Sequence, residues 1–272
     1  HDKQSLALVE NLKSQTKCKI FNINIQNITN PFLAIIFKKY NLDKGLINPD
    51  IAIGAGHKTH LYLLAIKRCF GAKIVVIMKP SLPLKFFDLC VIPKHDDVKS
   101  GSNVFITNTP LVSFNLNKKK KENMALFLIG GPSKHYYWDS KRVLEQIKNI
   151  SKQFKFKKLL ITTSRRTPIE FINEFNKSKI KNIKLYEYTK IMNDWLDKNI
   201  IKVKNIWVTN DSYSMLIEAI ASGAYTDILE LKMKKKSKLS GEINTIKKKI
   251  RNKITIQNEA ERVAKFIQKI WF

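Results

Sequence analysis

Residues 205–231 read NIWVTNDSYSMLIEAIASGAYTDILEL. The apolar run Asn205–Thr209 ends at Asn210-Asp211-Ser212, a helical period covers Ser212–Ser222, and Gly223 stops it before a second apolar run at Thr226–Leu231. A strand, a crossover helix and a second strand pair only as a right-handed parallel unit, and a parallel sheet needs helices on both faces.

The same alternation extends to both sides. Upstream lie predicted strands Ala125–Ile129, Lys158–Thr162 and Ile183–Tyr186, with helices over Asp139–Phe154, Pro168–Phe175 and Thr189–Asp197. A polar, basic stretch at Asn115–Asn123, with four consecutive lysines, reads as an interdomain linker. Before it the sequence predicts strands at Ile20–Ile25, Asp50–Ile53, Lys73–Met78, Asp88–Ile92 and Val104–Thr107, and helices over Pro31–Tyr40 and Thr59–Phe70. Val263, Phe266, Ile267 and Ile270 recur at helical spacing within Asn258–Phe272, which predicts a docking helix. The fold class is therefore α/β, with two doubly wound Rossmann-like halves.

Composition bounds the function. At 272 residues, 44% apolar and 26% charged, the chain is globular, and no apolar stretch is long enough to span a membrane. Fifty Lys and Arg against 22 Asp and Glu leave a net charge of +28, which directs attention to anionic partners. Only Arg68, Arg142, Arg165, Arg166, Arg251 and Arg262 are arginines; the lysine excess reads as a solvated coat, with an anionic membrane surface as second partner and nucleic acid behind it. Cys18, Cys69 and Cys90 are widely spaced and read as buried thiols of a reducing compartment. The chain opens at His1 with no signal-peptide pattern, so a cytoplasmic location is expected, peripheral on the inner membrane face, with an N-terminal piece missing.

Ligands of open parallel sheets bind beyond the carboxyl ends of the strands, where helix N-termini favour negative charge. Four of nine glycines follow predicted strands, as Gly54-Ala55-Gly56-His57-Lys58-Thr59 and Gly130-Gly131-Pro132-Ser133. Both read as tight turns needing φ > 0 or as close approaches to a ligand. Thr162-Thr163-Ser164-Arg165-Arg166-Thr167-Pro168 puts two adjacent arginines among hydroxyls, in a chain whose default cation is lysine. Arg is the residue suited to bidentate recognition of phosphate.

Ser212 or Ser214 is expected to cap the helix after Asp211, with Glu218 one turn beyond Ser214. A diphosphate at that N-terminus would leave Glu218 placed to accept from ribose hydroxyls, the alternative being a capping box with Glu218 an ordinary helix residue. His57, and His95 beside Asp96, are the candidate general bases. Five scattered histidines without ligand spacing point to no metal, and neither a GxSxG elbow nor a P-loop is present.

Together GAGHKTHLYLLAIKR (54–68), MKPSLP (78–83), FDLCVIPKHDD (87–97), IGGPSKHY (129–136), TTSRRTP (162–168) and VTNDSYSMLIEAIASG (208–223) resemble the plant "elongated mitochondria" fission-factor family and its bacterial homologues. That family is similar to GT-B glycosyltransferases, which implies two Rossmann-like domains facing across a cleft. The resemblance gives an acceptor-side domain at 1–117, a nucleotide-binding domain at 118–257, and a helix at 258–272 docking back on the first domain. It implies a nucleotide-diphosphate sugar as substrate, held by Gly130, Gly131, Ser133, Ser164, Arg165, Arg166, Thr167, Asp211, Ser212, Ser214 and Glu218, with no bound cofactor. Gly54, Gly56, Lys58 and Thr59 would form a cleft loop of the first domain, and His57 or Asp96 the base. Two departures stand out: the family's first strand is expected to be missing, and Gly223 is followed by Ala224-Tyr225-Thr226 where family members carry a Gly-Lys-Pro-type turn.

Two functions follow as expectations. One is a metal-independent glycosyltransferase acting on an envelope glycan or lipid. The other is a non-catalytic, membrane-associated adaptor of the fission-factor type.

Overall fold

The computed structural model describes residues 2–23, 30–38, 48–113, 121–178, 180, 182–192, 194–252 and 256–272. The chain divides into two compact units, His1–Ser113 with Asn258–Phe272, and Phe114–Gln257. In chain order the first holds α1 (Asp2–Gln15), α2 (Pro31–Phe37), β1 (Ile51–Ala55), α3 (His60–Phe70), β2 (Lys73–Ile77), β3 (Leu89–Pro93) and β4 (Val104–Thr107). The second holds β5 (Glu122–Leu128), α4 (Ser140–Gln153), β6 (Lys158–Thr162), α5 (Ile169–Lys177), β7 (Ile183–Tyr186), α6 (Trp195–Ile200), β8 (Val203–Thr209), α7 (Tyr213–Ala221), β9 (Tyr225–Leu229) and α8 (Lys238–Arg251). The last helix, α9 (Glu259–Trp271), belongs to the first unit.

In the first unit four parallel strands lie in the order β1-β2-β3-β4. β2 and β3 are continuous apolar runs because both sheet faces are covered. Val75, Ile77, Leu89 and Val91 face Leu8 and Leu12 of α1 and Val263 and Ile267 of α9. Ile74, Val76, Cys90 and Ile92 face Leu63 of α3 and Phe87 on the other side. α9 is fixed at both ends: the Glu259 carboxylate accepts from the Asn108 backbone N–H (3.1 Å) and Nδ2 (3.0 Å), and Gln268 Nε2 donates to Gln15 O (3.1 Å).

The second unit carries five parallel strands in the order β7-β6-β5-β8-β9. The order reverses between β5 and β8, so their two carboxyl-end loops flank the topological switch point, where ligands of such sheets bind. Phe127 of β5 stacks on Trp207 of β8 at 5.4 Å, and α7 packs on β8 and β9.

Several expectations change. Residues 20–23 are not strand; Ile20 and Phe21 are half exposed, and no neighbouring strand pairs their backbone there. Asn24 and Ile25, the end of that expected strand, lie outside the described residues. So do Lys39 and Tyr40 of the expected first helix, and residues 115–120 of the expected linker, whose last residues, Glu122 and Asn123, open β5. The helix expected over Thr189–Asp197 is a single 3-10 turn at Tyr188–Lys190 followed by α6, whose Trp195 rests on the Tyr186 ring at 4.3 Å. Asn193, within that expectation, also lies outside the described residues. Cys18 is exposed and Cys69 half-buried, leaving only Cys90 buried, its thiol pushed up to about 11 by desolvation. Cys18 sits in the same uncovered stretch as Ile20.

Candidate functional site

The strongest constellation forms at the carboxyl ends of β5, β6 and β8. Gly130 N–H donates to Thr209 Oγ1 (2.8 Å) and Gly131 N–H to Asp211 Oδ2 (3.1 Å), which joins the loops after β5 and β8. A Cβ on Gly130 would lie 2.3 Å from both Asp211 carboxylate oxygens, and one on Gly131 would lie 1.9 Å from Arg166 O. Close approach therefore demands these glycines. Positive φ does not: of the four glycines after strands only Gly56 has it, at 86°.

The arginine turn closes on the same loops. The Thr167 hydroxyl lies 2.6 Å from Gly130 O, and Ser164 N–H donates to Thr167 Oγ1 at 2.8 Å. Arg166 Nη2 lies 2.7 Å from Asp211 Oδ2, and Nη1 donates to Pro132 O at 3.2 Å. The Asp211 side chain is wholly buried. Burial pushes its pKa up, against hydrogen bonds from Thr209 and Gly131 and the Arg166 charge, which act downward.

The doublet therefore splits into two roles. Arg166 is bound into the loop framework, whereas Arg165 is exposed and makes no side-chain hydrogen bond or ion pair with the described residues.

Beside this network lies an open depression of about 560 Å³ lined by Pro132, Ser133, Lys134, His135, Arg166 and Lys234. Its wall is sewn together: Lys234 Nζ donates to Ser133 O (2.9 Å), Lys234 N–H to His135 O (2.8 Å), and Tyr137 N–H to Lys232 O (2.8 Å). Ser133 Oγ accepts from the Tyr136 N–H at 3.1 Å, and the buried Tyr136 phenol is shifted upward by desolvation and by Asp211. Three cations on a surface without a carboxylate lining it suit an anionic ligand.

At α7 the sequence reading needs correction. Ser212 occupies the N-cap position but its side chain makes no capping bond, and Ser214 is an exposed residue inside the first turn. Asp211 turns inward to Gly131 and Arg166 instead of outward to a ligand. Glu218 is half-buried on the middle turn of α7.

The other expected residues gather at the carboxyl edge of the first unit's sheet. Gly54 is held against Thr59, whose Oγ1 donates to Gly56 O at 2.8 Å, and a Cβ on Gly54 would lie 2.7 Å from that oxygen of Thr59. His57 and Lys58 are exposed in the 3-10 turn before α3. His95 Nε2 lies 3.7 Å from Asp96 Oδ1, an ion-pair distance and too long for a hydrogen bond. Lys79 Nζ donates to the backbone carbonyls of Asp96 and Asp97, both at 3.2 Å.

Sequence reasoning missed His60 and Ser81. His60 is buried, its Nδ1 3.3 Å from Ser81 Oγ, and its pKa is lowered by desolvation and by nearby His57. In the second unit it missed Thr209, Lys134, His135 and Lys234. His135, one of only five histidines and two residues beyond Ser133, was a readable signal; one lysine among 44 was not.

Two parallel Rossmann-like sheets, with a loop framework built around the switch point of the second, define a GT-B-like α/β protein. The sequence matches the profile of the family described as Mitochondrial fission ELM1 over residues 1–268, and the chain belongs to that family. No curated protein matches it. Among solved structures it is similar to a protein assigned as a UDP-N-acetylglucosamine 2-epimerase from Listeria monocytogenes, at TM-score 0.52 and 10% identity, covering 97% of this chain and 88% of that one. It is also similar to Acinetobacter baumannii MurG, at TM-score 0.42 and 12% identity, covering 99% and 96%. A third is the S. aureus MnaA–UDP complex, at TM-score 0.41 and 10% identity, covering 96% and 77%. At such identities the likeness is one of fold.

Proposed function

We propose that the second unit binds the diphosphate of a nucleotide-diphosphate sugar, and that the protein is a glycosyltransferase. The observation that carries this reading is Arg166, locked by Asp211 at the rim of a depression whose other cations are Lys134 and Lys234, with Arg165 uncommitted beside it. The Listeria neighbour bears the name of an enzyme acting on a UDP-sugar, which supports that ligand class.

In this reading the fixed cations stabilise the negative charge that develops on the departing nucleotide diphosphate. Of these, Arg166 and Lys234 are held by hydrogen bonds before the reaction, so little reorganisation is needed at those two. Glu218 would accept from the ribose hydroxyls, and Ser133 and Ser164 would donate to phosphate oxygens. His57, His95 and Asp96 are the candidates for the base that takes the acceptor's proton. No bound cofactor or metal enters the proposal.

The test is a thermal-shift series with UDP-, GDP- and CMP-sugars. One of them should raise the melting temperature, and Arg165→Ala should remove that rise while leaving the ligand-free melting temperature unchanged. Glu218→Ala should weaken it as well. Absence of any shift across the series overturns the reading.

A further inference from the structure

Helix α2 reads PFLAIIF and has no polar side chain. A helix that is apolar all round is ordinarily enclosed by protein or by lipid. Here one side is enclosed: Ala34 is buried against a cluster with Ala65 and Ile66 of α3 and Ala72, and Ile35 packs on it. Cys69 Sγ donates to Ala34 O at 3.5 Å, which fixes α2 on α3. The other side is open. Phe32, Leu33, Ile36 and Phe37 are 59%, 52%, 55% and 66% exposed.

Their spacing of i, i+1, i+4 and i+5 places these four on one helical face. Single exposed apolar residues are ordinary, but four large ones side by side mark a surface that something covers.

The electrostatic surroundings select what covers it. Lys38 follows the helix in a left-handed conformation (φ 53°), and Arg68, on α3, adjoins the Cys69 that contacts α2. α2 itself carries no acidic residue. Across the whole chain the net charge is +28. An apolar ridge bordered by cations is the chemistry that enters an anionic bilayer interface, with acyl chains meeting the aromatic side chains and headgroups meeting Lys and Arg.

We infer that α2 is a membrane-docking element that inserts Phe32, Leu33, Ile36 and Phe37 into the interface of an anionic bilayer. This inference does not depend on the nucleotide-sugar reading.

The experiment uses the full chain with large unilamellar vesicles, either pure phosphatidylcholine or phosphatidylcholine with about a third phosphatidylglycerol. Co-sedimentation should occur with the anionic vesicles and weaken as salt is raised. The double variant Phe32→Ser/Phe37→Ser should lose roughly tenfold or more in partitioning while keeping its melting temperature, since both side chains are exposed. A second variant, Phe37→Trp, should show fluorescence quenching beyond that of the parent chain when the anionic vesicles carry brominated acyl chains, which reports insertion directly. Equal binding by the double variant, or no added quenching from the introduced indole, overturns the assignment. A dimer in solution that the double variant dissociates also overturns it, because a second copy would then be what covers the face.

Discussion

Arg166 Nη2 and Asp211 Oδ2 meet at 2.7 Å across 45 residues of sequence, the guanidinium side chain 44% exposed and the carboxylate wholly enclosed. The pair joins the loop after β6 to the loop after β8, and Gly131 N–H bonds to the same carboxylate oxygen. One buried carboxylate thus organises three loops.

Removing that carboxylate leaves a backbone N–H and a guanidinium without their partner. Breaking a fully buried pair costs about 3–5 kcal/mol, and the solvent reaching Arg166 lowers that figure. Asp211→Ala should therefore destabilise the second unit by roughly 2 kcal/mol, visible as a lower urea midpoint. Asp211→Asn, which keeps an acceptor oxygen, should recover part of the loss. An unchanged midpoint for Asp211→Ala would show that the loops are held by other contacts.

The glycines give a matched comparison. Gly131→Ala would set a methyl 1.9 Å from the Arg166 carbonyl oxygen, so the backbone of the arginine turn has to move. A cost of about 2–3 kcal/mol is expected. Gly241, inside α8, has open space where its Cβ would go, and Gly241→Ala should stabilise by about 0.5–1 kcal/mol. Thermal denaturation of the two variants should show shifts of opposite sign.

α9 completes the first unit although the whole second unit separates it in sequence. Val263, Ile267, Ala260 and Ala264 are fully buried against α1, β2 and β3. Together they contribute on the order of 5 kcal/mol, comparable to the stability of a small domain. Deleting residues 258–272 should leave the first unit unfolded or aggregated, while Ile267→Ala should cost about 2–5 kcal/mol. Limited proteolysis of the truncated chain should then degrade the first unit and spare the second.

The sequence disclosed the strands well, at the sheet edges as well as in the covered interior. β4, β6 and β7 begin and end at Val104–Thr107, Lys158–Thr162 and Ile183–Tyr186, as the apolar runs predict. It was silent on α1 and α8. In α8 only Ile243 and Ile246 are buried hydrophobic residues among lysines, and the Ser237–Ser240 capping box that starts it lacks the usual Glu or Gln. For the candidate site the strand-end loops were legible because turn residues interrupt apolar runs there. The division between Arg165 and Arg166 was not, since two neighbours of one type are told apart only by where Asp211 lies. Lys234 was invisible for a different reason: it reaches the depression through pairing of residues 232–234 with 135–137, and no local pattern encodes that.

His60 provides a pH test confined to the first unit. It is buried beside Phe87, with Ser81 Oγ near its Nδ1, and both desolvation and His57 lower its pKa below 6.5. The unfolded chain then binds a proton on this ring at pH values where the folded chain does not. More protons on the unfolded state means that stability rises with pH across that interval. The contribution is fully present above 6.5 and is lost as the pH falls toward the lowered folded value. His60→Gln cannot take up a proton, so it should reduce the loss of melting temperature between about pH 7 and pH 5 relative to the parent chain. His135→Gln serves as the comparison, because it removes a histidine of the second unit and should leave the first unit's slope as it is. If both variants retain the parent's slope, the acid sensitivity resides in other groups, and His60 is not held neutral by its surroundings.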